Sequence, residues 1–269
     1  MLPESIVRSR HNPTYKQIRS LLRRDRRHQE RAFLVEGPRF VADAMATGAQ
    51  PLLVALSESL AIDGEWPANP DIAFCVLDDE LFSSLSDTVT SQGVLAVFPF
   101  PDLKLETDRV PFVLIADGIQ DPGNLGALVR SAAGSGASQV VTLPGTVDPW
   151  APKTVRAAAA AHFLIPIAAM DATELVSTLP ADCLFVAADA SGATRYDECE
   201  LTGPLAVIVG SEGSGLSQSA LTLDPTLISI PLAGGLESLN AAVAGSIVLF
   251  EASRQRRGKG KLAKTPVFS

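Results

Sequence analysis

The chain has 269 residues, of which 46% are hydrophobic and 19% charged, and its formal net charge is −8. This length suits two modest domains or one large one, with enough residues to bury a core. The longest apolar stretch, residues 157–170, is interrupted by His162 and Pro166, so we predict no membrane-spanning helix. No apolar run follows the charged N-terminal residues, so we expect no secretory signal and a cytoplasmic protein.

The cysteines and histidines are too widely separated in the sequence to form a recognisable metal-binding motif. Their spacing matches none of the common zinc-ligand patterns, so we expect no metal site. An odd number of distant cysteines is typical of reduced thiols in a cytosolic protein. The residues concerned are Cys75, Cys183, Cys199, His11, His28 and His162.

Charge is distributed unevenly along the chain. Residues 1–40 contain ten basic and four acidic side chains, and residues 254–269 add six basic side chains and no acidic one. The middle of the chain is therefore strongly acidic between two basic ends. This pattern indicates a polyanionic partner at the ends, with a solvated helix face and a disordered tail as the alternative.

The first hundred residues alternate helical and strand-like patterns. A basic helix is predicted from Thr14 to about Gln29. A second helix is predicted over residues 38–47. Strands are predicted over residues 33–35, 52–56, 72–76 and 93–98. Two prolines and a charged stretch then indicate a linker, so we place one domain at 1–100, the linker at 101–110, a second domain at 111–257 and a basic tail at 258–269.

The second domain has stronger signals. Continuous apolar strands are predicted over residues 112–116, 139–143, 184–188, 205–209 and 227–230, separated by helical stretches. This alternation is typical of an α/β fold with a parallel sheet covered on both faces. In the last helix Leu239, Val243, Ile247 and Phe250 form one apolar stripe, and Ser238 is the predicted N-cap.

Three segments of the second domain could contribute to a functional site. In residues 117–136 a turn rich in glycine and proline leads into a helix, with Asn124 as the predicted N-cap and Arg130 further along. A guanidinium near the carboxyl end of a strand can bind a phosphate or a hydroxyl group. The alternative is an ordinary capped helix with one solvent-exposed arginine.

The other two segments follow later strands. Residues 205–217 run from a strand into a loop with three glycines and Glu212, which could pair with Arg130; a plain tight turn is the alternative. This loop lacks both the P-loop ending and the dinucleotide-binding order of glycines. Residues 228–245 run through a Pro/Gly loop into a helix that contains Asn240, and a packing helix at an oligomer interface is the alternative.

Taken together and in this order, the segments carry the patterns Asn-x-Gly-x-x-x-Arg, Gly-x-Glu-Gly-x-Gly and Ile-Pro followed by Ser-Leu-Asn. The set resembles the three motifs of the SpoU/TrmH branch of the SPOUT methyltransferases over residues 111–254. The N-terminal part is similar to the L30-like substrate-binding domain found ahead of many rRNA-targeting members.

The resemblance implies an α/β fold in which a smaller L30-like α/β domain precedes a parallel-sheet SPOUT domain with a trefoil knot. It implies methylation of a ribose 2′-OH in RNA by S-adenosylmethionine (SAM), with 23S rRNA favoured over tRNA, and a homodimer without metal or membrane. An inactive RNA- or ribosome-binding protein of the same fold is one alternative. An unrelated nucleotide-binding α/β enzyme is another.

The resemblance also implies the roles of individual residues. A guanidinium is costly to deprotonate near neutral pH, so we interpret Arg130 as an anchor for a phosphate or alkoxide, held by Glu212. The implied catalytic residues are Asn124, Arg130, Glu212, Ser238 and Asn240. The implied cofactor-binding residues are Gly210, Glu212, Gly213, Ile230, Leu232 and Leu239, and the predicted RNA-binding residues are Arg19, Arg23, Arg24 and Arg27.

Overall fold

The computed structural model describes residues 6–63, 72–88, 90–104 and 110–259. The chain forms two compact units. The first combines the residues up to Asp102 with a later segment, Asp148–Phe163, and the second comprises Leu103–Val147 and the residues from Leu164 onward. Within the described ranges, no helix is long and apolar enough to cross a membrane.

These units differ from the predicted division in one respect. The segment Asp148–Phe163 makes its contacts within the first unit, although it lies inside the predicted second domain at 111–257. Sequence order alone could not show this return of the chain. Half of the predicted linker, residues 105–109, and the predicted tail beyond Lys259 lie outside the described residues.

The first unit is built on a mixed five-stranded sheet in the order β1-β4-β3-β5-β2. Strand β5 is antiparallel to both of its neighbours, whereas β3, β4 and β1 are parallel to each other. The four predicted strands are confirmed, and β1 was missed because it has only two residues. The strands are β1 (Ile6–Val7), β2 (Ala32–Glu36), β3 (Leu53–Ser57), β4 (Phe74–Leu77) and β5 (Val94–Pro99). The helices among them are α1 (Pro13–Ser20), α2 (Arg24–Glu30), α3 (Pro38–Ala46), α4 (Glu58–Asp63) and α5 (Asp79–Ser83).

The predicted basic helix is two helices rather than one. Asn12 caps α1 by accepting hydrogen bonds from Thr14 and Tyr15, and the helix ends at Ser20. The break lets Arg27 of α2 turn inward, where its guanidinium donates to the carbonyl of Leu21 at 2.8 Å. A continuous helix was predicted because the basic side chains between the apolar positions gave no sign of this turn.

The second unit contains a seven-stranded sheet in the order β10-β12-β9-β11-β6-β7-β8, and every strand pair is parallel. The predicted parallel sheet is therefore confirmed, and the missed strands β8 and β10 have only three and two residues. From residue 112 on, the strands are β6 (Phe112–Ala116), β7 (Gln139–Thr142), β8 (Ile167–Ala169), β9 (Leu184–Ala188), β10 (Thr194–Arg195), β11 (Leu205–Val209) and β12 (Thr226–Ser229). The helices are α6 (Pro122–Ser135), α7 (Pro152–Ala158), α8 (Ala172–Thr178), α9 (Gln218–Leu221) and α10 (Ala241–Gly258), of which α7 belongs to the first unit.

The last helix packs through a face that combines small residues with Val248 and Leu249, rather than through its predicted apolar stripe. A Cβ atom on Gly245 would lie 2.6 Å from Val209 and 2.8 Å from Leu128, so only glycine allows α10 to approach β11 and α6 this closely. Val243 and Phe250 of the stripe remain 48% and 46% exposed. The predicted stripe is therefore wrong, because Leu239 precedes the helix and Val243 and Phe250 lie on its exposed side.

Among the described residues of the first unit, Arg31 and Ala159 are the non-glycine residues with positive φ, and the backbone of Ala159 is the more strained. Helix α7 ends at Ala158, and the next residue, Ala159, has a φ of 53° and a ψ of −132° that suit glycine. A 3-10 helix over Ala159–Phe163 follows. A residue with a side chain in such a conformation costs about 1–3 kcal/mol. The surrounding packing must therefore hold Ala159 in place.

We expect Ala159→Gly to stabilise the protein. Relief of the strain, less the extra entropy of glycine in the unfolded chain, should add about 1 kcal/mol to the free energy of unfolding. Urea denaturation measures this change. Ala158→Gly, in the last turn of α7, is the matched control and should lower the stability by about 1 kcal/mol; destabilisation by both variants would contradict the account.

Candidate active site

The parallel sheet brings the first two segments together. Strands β6 and β11 pair in register from Phe112 with Leu205 to Ala116 with Val209. Since both strands end at the same edge, the turn that leads into α6 and the glycine loop (residues 210–217) leave the sheet side by side. The carboxyl edge of a parallel sheet is where ligands commonly bind in α/β proteins.

The third segment returns to the same edge by way of α10. It leaves β12, which lies beyond β9 in the sheet, and ends where α10 packs against both β11 and α6. The start of α10 is thereby placed beside the start of α6 and the glycine loop. The fold therefore brings side chains of all three segments into contact.

The residue that caps α6 is Asp121, not Asn124 as predicted. Its carboxylate accepts a hydrogen bond from the Asn124 N–H at 2.9 Å, and Pro122 occupies the first helical turn. The prediction was wrong because an aspartate directly before a proline is an equally good cap. The Asn124 side chain is consequently available for other contacts.

Helix α10 is capped by Asn240, not by the predicted Ser238. The Asn240 Oδ1 atom accepts hydrogen bonds from the N–H groups of Ala242 and Val243, at 3.0 and 3.2 Å. Because this oxygen faces the helix, the Nδ2 group must face outward. Capping thus fixes the orientation of the amide as well as the start of the helix.

A single carboxylate oxygen links the three segments. The Glu212 Oε1 atom accepts hydrogen bonds from Asn124 Nδ2 at 2.8 Å and from Asn240 Nδ2 at 2.5 Å. Asn240 Nδ2 also lies 3.0 Å from Asn124 Oδ1, to which it donates. We call these three side chains the amide–carboxylate cluster.

Within one chain, therefore, Glu212 does not pair with Arg130 as predicted. Arg130 is exposed and makes no hydrogen bond or ion pair with any residue that the structure describes. On an ideal helix, Arg130 lies about 240° around the axis from Asn124 and about 9 Å along it. The Arg130 side chain therefore lies on a different side of α6 from the amide–carboxylate cluster.

The glycine loop folds tightly on itself. Ser211 and Gly215 exchange backbone hydrogen bonds, both of 3.0 Å. A Cβ atom on Gly210 would lie 2.6 Å from the carbonyl carbon and oxygen of Gly215, so this position requires glycine. A Cβ atom on Gly213 would meet no atom within 4 Å, which leaves its backbone open to a ligand.

The remaining predicted site residues lie on the segment between β12 and α10. Ile230 directly follows β12 and Leu239 directly precedes the cap, and both are half-buried. Leu232 is 36% exposed. Ser238 is exposed and forms no hydrogen bond within the described part of the chain, so its hydroxyl can serve a ligand.

Sequence analysis missed a pair that supports the glycine loop. The Asp117 carboxylate is 1% exposed and accepts two hydrogen bonds from Ser217. An acidic residue at the end of a buried strand and a serine that caps a short helix were the available signals. Neither indicates by itself that the two residues meet, because 100 positions separate them.

The predicted RNA-binding arginines lie in the first unit and differ in their surroundings. Arg19, Arg23 and Arg24 are exposed, although Arg23 pairs with Asp25 at 2.7 Å. Arg27 is only 3% exposed. Its guanidinium donates to the buried Asp148 carboxylate through Nε at 3.0 Å and Nη2 at 2.5 Å, which removes it from any surface for RNA.

The histidines and cysteines show no sign of activation. Burial lowers the pKa of His162 to about 4 and raises the pKa of Cys75 to about 11, so both stay neutral near pH 7. Among the described residues, no three side chains of His, Cys, Asp or Glu are grouped so that they could hold a metal ion.

Comparison with known proteins shows the same two-part organisation. Residues 111–250 match the SpoU rRNA Methylase family, and residues 12–96 match the MRM3-like substrate binding domain. The mitochondrial rRNA methyltransferase 3 of Mus musculus is 34% identical over 292 residues, which cover 87% of this chain and 70% of the relative. The 23S rRNA (guanosine(2553)-2′-O)-methyltransferase of Bacillus subtilis (strain 168) is 32% identical over 245 residues, covering 91% and 97%.

A solved structure agrees with these relatives. The crystal structure of an AdoMet-bound rRNA methyltransferase from Sinorhizobium meliloti superposes with a TM-score of 0.75 at 28% identity, covering 93% of this chain and 97% of that one. The family match spans more than half of the chain and contains all three segments that the fold brings together. The chain therefore belongs to the SpoU rRNA methylase family.

Proposed function

We propose that this protein transfers a methyl group from SAM to a ribose 2′-OH in large-subunit rRNA. The observation that carries this proposal is the amide–carboxylate cluster, through which the three family motifs meet at one edge of the parallel sheet. The Bacillus subtilis relative is named for 2′-O methylation of a guanosine in 23S rRNA. The relative's large-subunit target favours rRNA over tRNA for this chain.

The residues around the glycine loop fit SAM. The open backbone at Gly213 and the tight turn at Gly210 offer N–H and C=O groups to a ligand. We propose that Ile230, Leu232 and Leu239, which the family resemblance implies as cofactor-binding residues, supply apolar contacts. SAM, when bound, supplies an electrophilic methyl group on a positively charged sulfur. The protein's contribution is to hold cofactor and ribose in line, which can be worth several kcal/mol.

Three polar groups have separate roles in this proposal. The amide–carboxylate cluster fixes the glycine loop relative to α6 and α10. Ser238 offers a free hydroxyl to the ribose or its phosphate. Arg130, which is exposed and unpaired among the described residues, binds the target phosphate or the alkoxide that develops as the 2′-OH loses its proton to solvent water.

The strand order supports the trefoil knot that the family resemblance implies. In sequence, β11 comes between β9 and β12. In the sheet, however, β9 lies between β11 and β12. The turn after β9 passes so close to β12 that a Cβ atom on Gly192 would lie 2.5 Å from the Ile228 carbonyl carbon. We propose that the chain is threaded at this crossing.

We also propose that two copies of the chain form the active unit. Ala127 of α6 and Val243, Ile247 and Phe250 of α10 line a groove beside Asn124, and its apolar side chains are partly exposed. A second copy would cover this apolar surface. Because Arg130 points away from its own cluster, a dimer could present it to the cluster of the partner.

RNA binding by the first unit rests on the exposed arginines of the N-terminal segment. Arg19 and Arg24 are exposed, and the surface pair of Arg23 with Asp25 is weak enough to open for a phosphate. Such contacts supply affinity and orientation rather than sequence choice. Arg27 is omitted from this surface because it is buried with Asp148.

The function is tested by incubating the purified protein with methyl-labelled SAM and large-subunit rRNA, small-subunit rRNA or tRNA. We expect labelled 2′-O-methylnucleoside from large-subunit rRNA after digestion. A DNA oligonucleotide, which lacks the 2′-OH, should remain unlabelled. Label on a base would contradict the proposal, and RNA binding without SAM binding would identify an inactive RNA-binding protein instead.

The dimer is tested by mixing Arg130→Ala with Asn124→Ala. If Arg130 serves the partner's site, each mixed dimer contains one intact site, and random exchange of subunits should restore about one quarter of the wild-type rate. If Arg130 serves its own site, every site carries one defect and no activity returns. Each variant is assayed alone as the control, and sedimentation confirms that subunits have exchanged.

The RNA-binding surface is tested by the salt dependence of affinity. Replacing Arg19, Arg23 and Arg24 together by alanine should reduce the slope of log affinity against log salt by about two to three, because each lost phosphate contact removes about 0.9. Arg195→Ala, which removes an exposed arginine of the second unit, is the control. A triple variant with the wild-type slope would remove these arginines from the interface.

A further inference from the structure

A buried carboxylate holds the end of the glycine loop. Asp117 directly follows β6 and is 1% exposed. Its Oδ2 atom accepts a hydrogen bond from the Ser217 backbone N–H at 2.6 Å, and its Oδ1 atom accepts one from the Ser217 hydroxyl at 2.8 Å. Both contacts go to one residue at the point where the glycine loop becomes α9.

The serine hydroxyl is fixed in both of its roles. Its only hydrogen is donated to Asp117, while its oxygen accepts a hydrogen bond from the Ala220 N–H at 3.1 Å and caps α9. A hydroxyl that donates and accepts in this way has one rotational position. The end of the loop is therefore held by side chain and backbone together.

These contacts complete the attachment of the loop. Its beginning is continuous with β11, its interior is closed by the Ser211–Gly215 hydrogen bonds, and Glu212 joins it to the two asparagines. Without the bonds to Asp117, the loop could pivot about Gly210. The backbone groups of Gly210 and Gly213 would then lose their fixed position.

The chemistry of the pair indicates that it serves more than folding. Burying a carboxylate opposes folding unless hydrogen bonds compensate, and the two bonds from Ser217 supply that compensation. What the carboxylate adds is direction, because it accepts two bonds whose geometry sets where Ser217 lies. A fixed position of the loop is needed where its backbone N–H and C=O groups bind a ligand.

We propose that Asp117, acting through Ser217, is a positioning residue for SAM. It keeps the end of the glycine loop in the conformation that binds the cofactor, whereas the amide–carboxylate cluster fixes the loop relative to α6 and α10. This inference rests on the proposed function, because it takes the glycine loop as the SAM site. It assigns Asp117 to cofactor affinity and not to the methyl-transfer step.

The test compares variants of Ser217, which are milder than removal of the buried acid. Ser217→Ala keeps the backbone N–H but loses the hydroxyl, and should raise both the Kd and the KM for SAM on the order of tenfold, the effect of losing a hydrogen bond to a charged group. The kcat at saturating SAM should stay within about twofold of wild type. Ser217→Thr keeps the hydroxyl and should restore wild-type affinity.

The matched control is Asp171→Ala, because Asp171 caps α8 by accepting a hydrogen bond from the Glu174 N–H at 2.8 Å. Helices α8 and α9 contribute to the same apolar cluster, through Leu175 and Ala220. Loss of either cap should lower the melting temperature by a similar amount. Only the Ser217 variant should weaken SAM binding, which calorimetry measures without an assay of activity.

The outcomes separate this inference from the proposed function. Wild-type affinity in Ser217→Ala, a reduced kcat with unchanged Kd, or equal weakening in Asp171→Ala would each overturn the role of Asp117. Failure of the wild-type protein to bind SAM would instead overturn the proposed function. Asp117→Asn, which can keep both contacts only by reversing the hydroxyl bond, should weaken SAM binding less than Ser217→Ala does.

Discussion

The hydrogen bonds to one oxygen of Glu212 are the interaction on which the site depends. They join the amides of Asn124 and Asn240 at 2.8 and 2.5 Å, and so connect helix α6, helix α10 and the glycine loop. Hydrogen bonds to a charged group are worth about 1.5–3 kcal/mol each before solvent screening. The orientation of the Asn240 amide is also fixed, because its Oδ1 atom caps α10 and its Nδ2 group must then point towards Glu212.

The rest of the second unit makes this meeting possible. Parallel pairing of β6 with β11 places two motifs side by side, and glycine at position 245 lets α10 lie close enough for the third. Within a single chain, the exposed Arg130 makes no contact with the amide–carboxylate cluster. A shared site between two copies would explain both its exposure and the partly exposed apolar side chains of Val243 and Phe250.

The sequence predicts the sheet well, because strands such as β6, β9 and β11 are continuous apolar runs with clear ends. It predicts the site residues as a set only through the order of the three motifs. It fails where a choice depends on distant partners: Asp121 rather than Asn124 caps α6, and Glu212 pairs with amides rather than with Arg130. In the sequence, Arg27 cannot be distinguished from the exposed arginines beside it. It is buried because it pairs with Asp148, which lies 121 positions later in the chain.

The most direct test of the account is the rate of methyl transfer in Glu212→Ala at saturating SAM and rRNA, measured in a single turnover. Glu174→Ala, which removes an exposed glutamate from α8, is the matched control. The account predicts a fall of roughly tenfold to a hundredfold for Glu212→Ala, from the loss of hydrogen bonds that align the site, and no change for the control. A Glu212→Ala protein that transfers the methyl group within about twofold of the wild-type rate would contradict it.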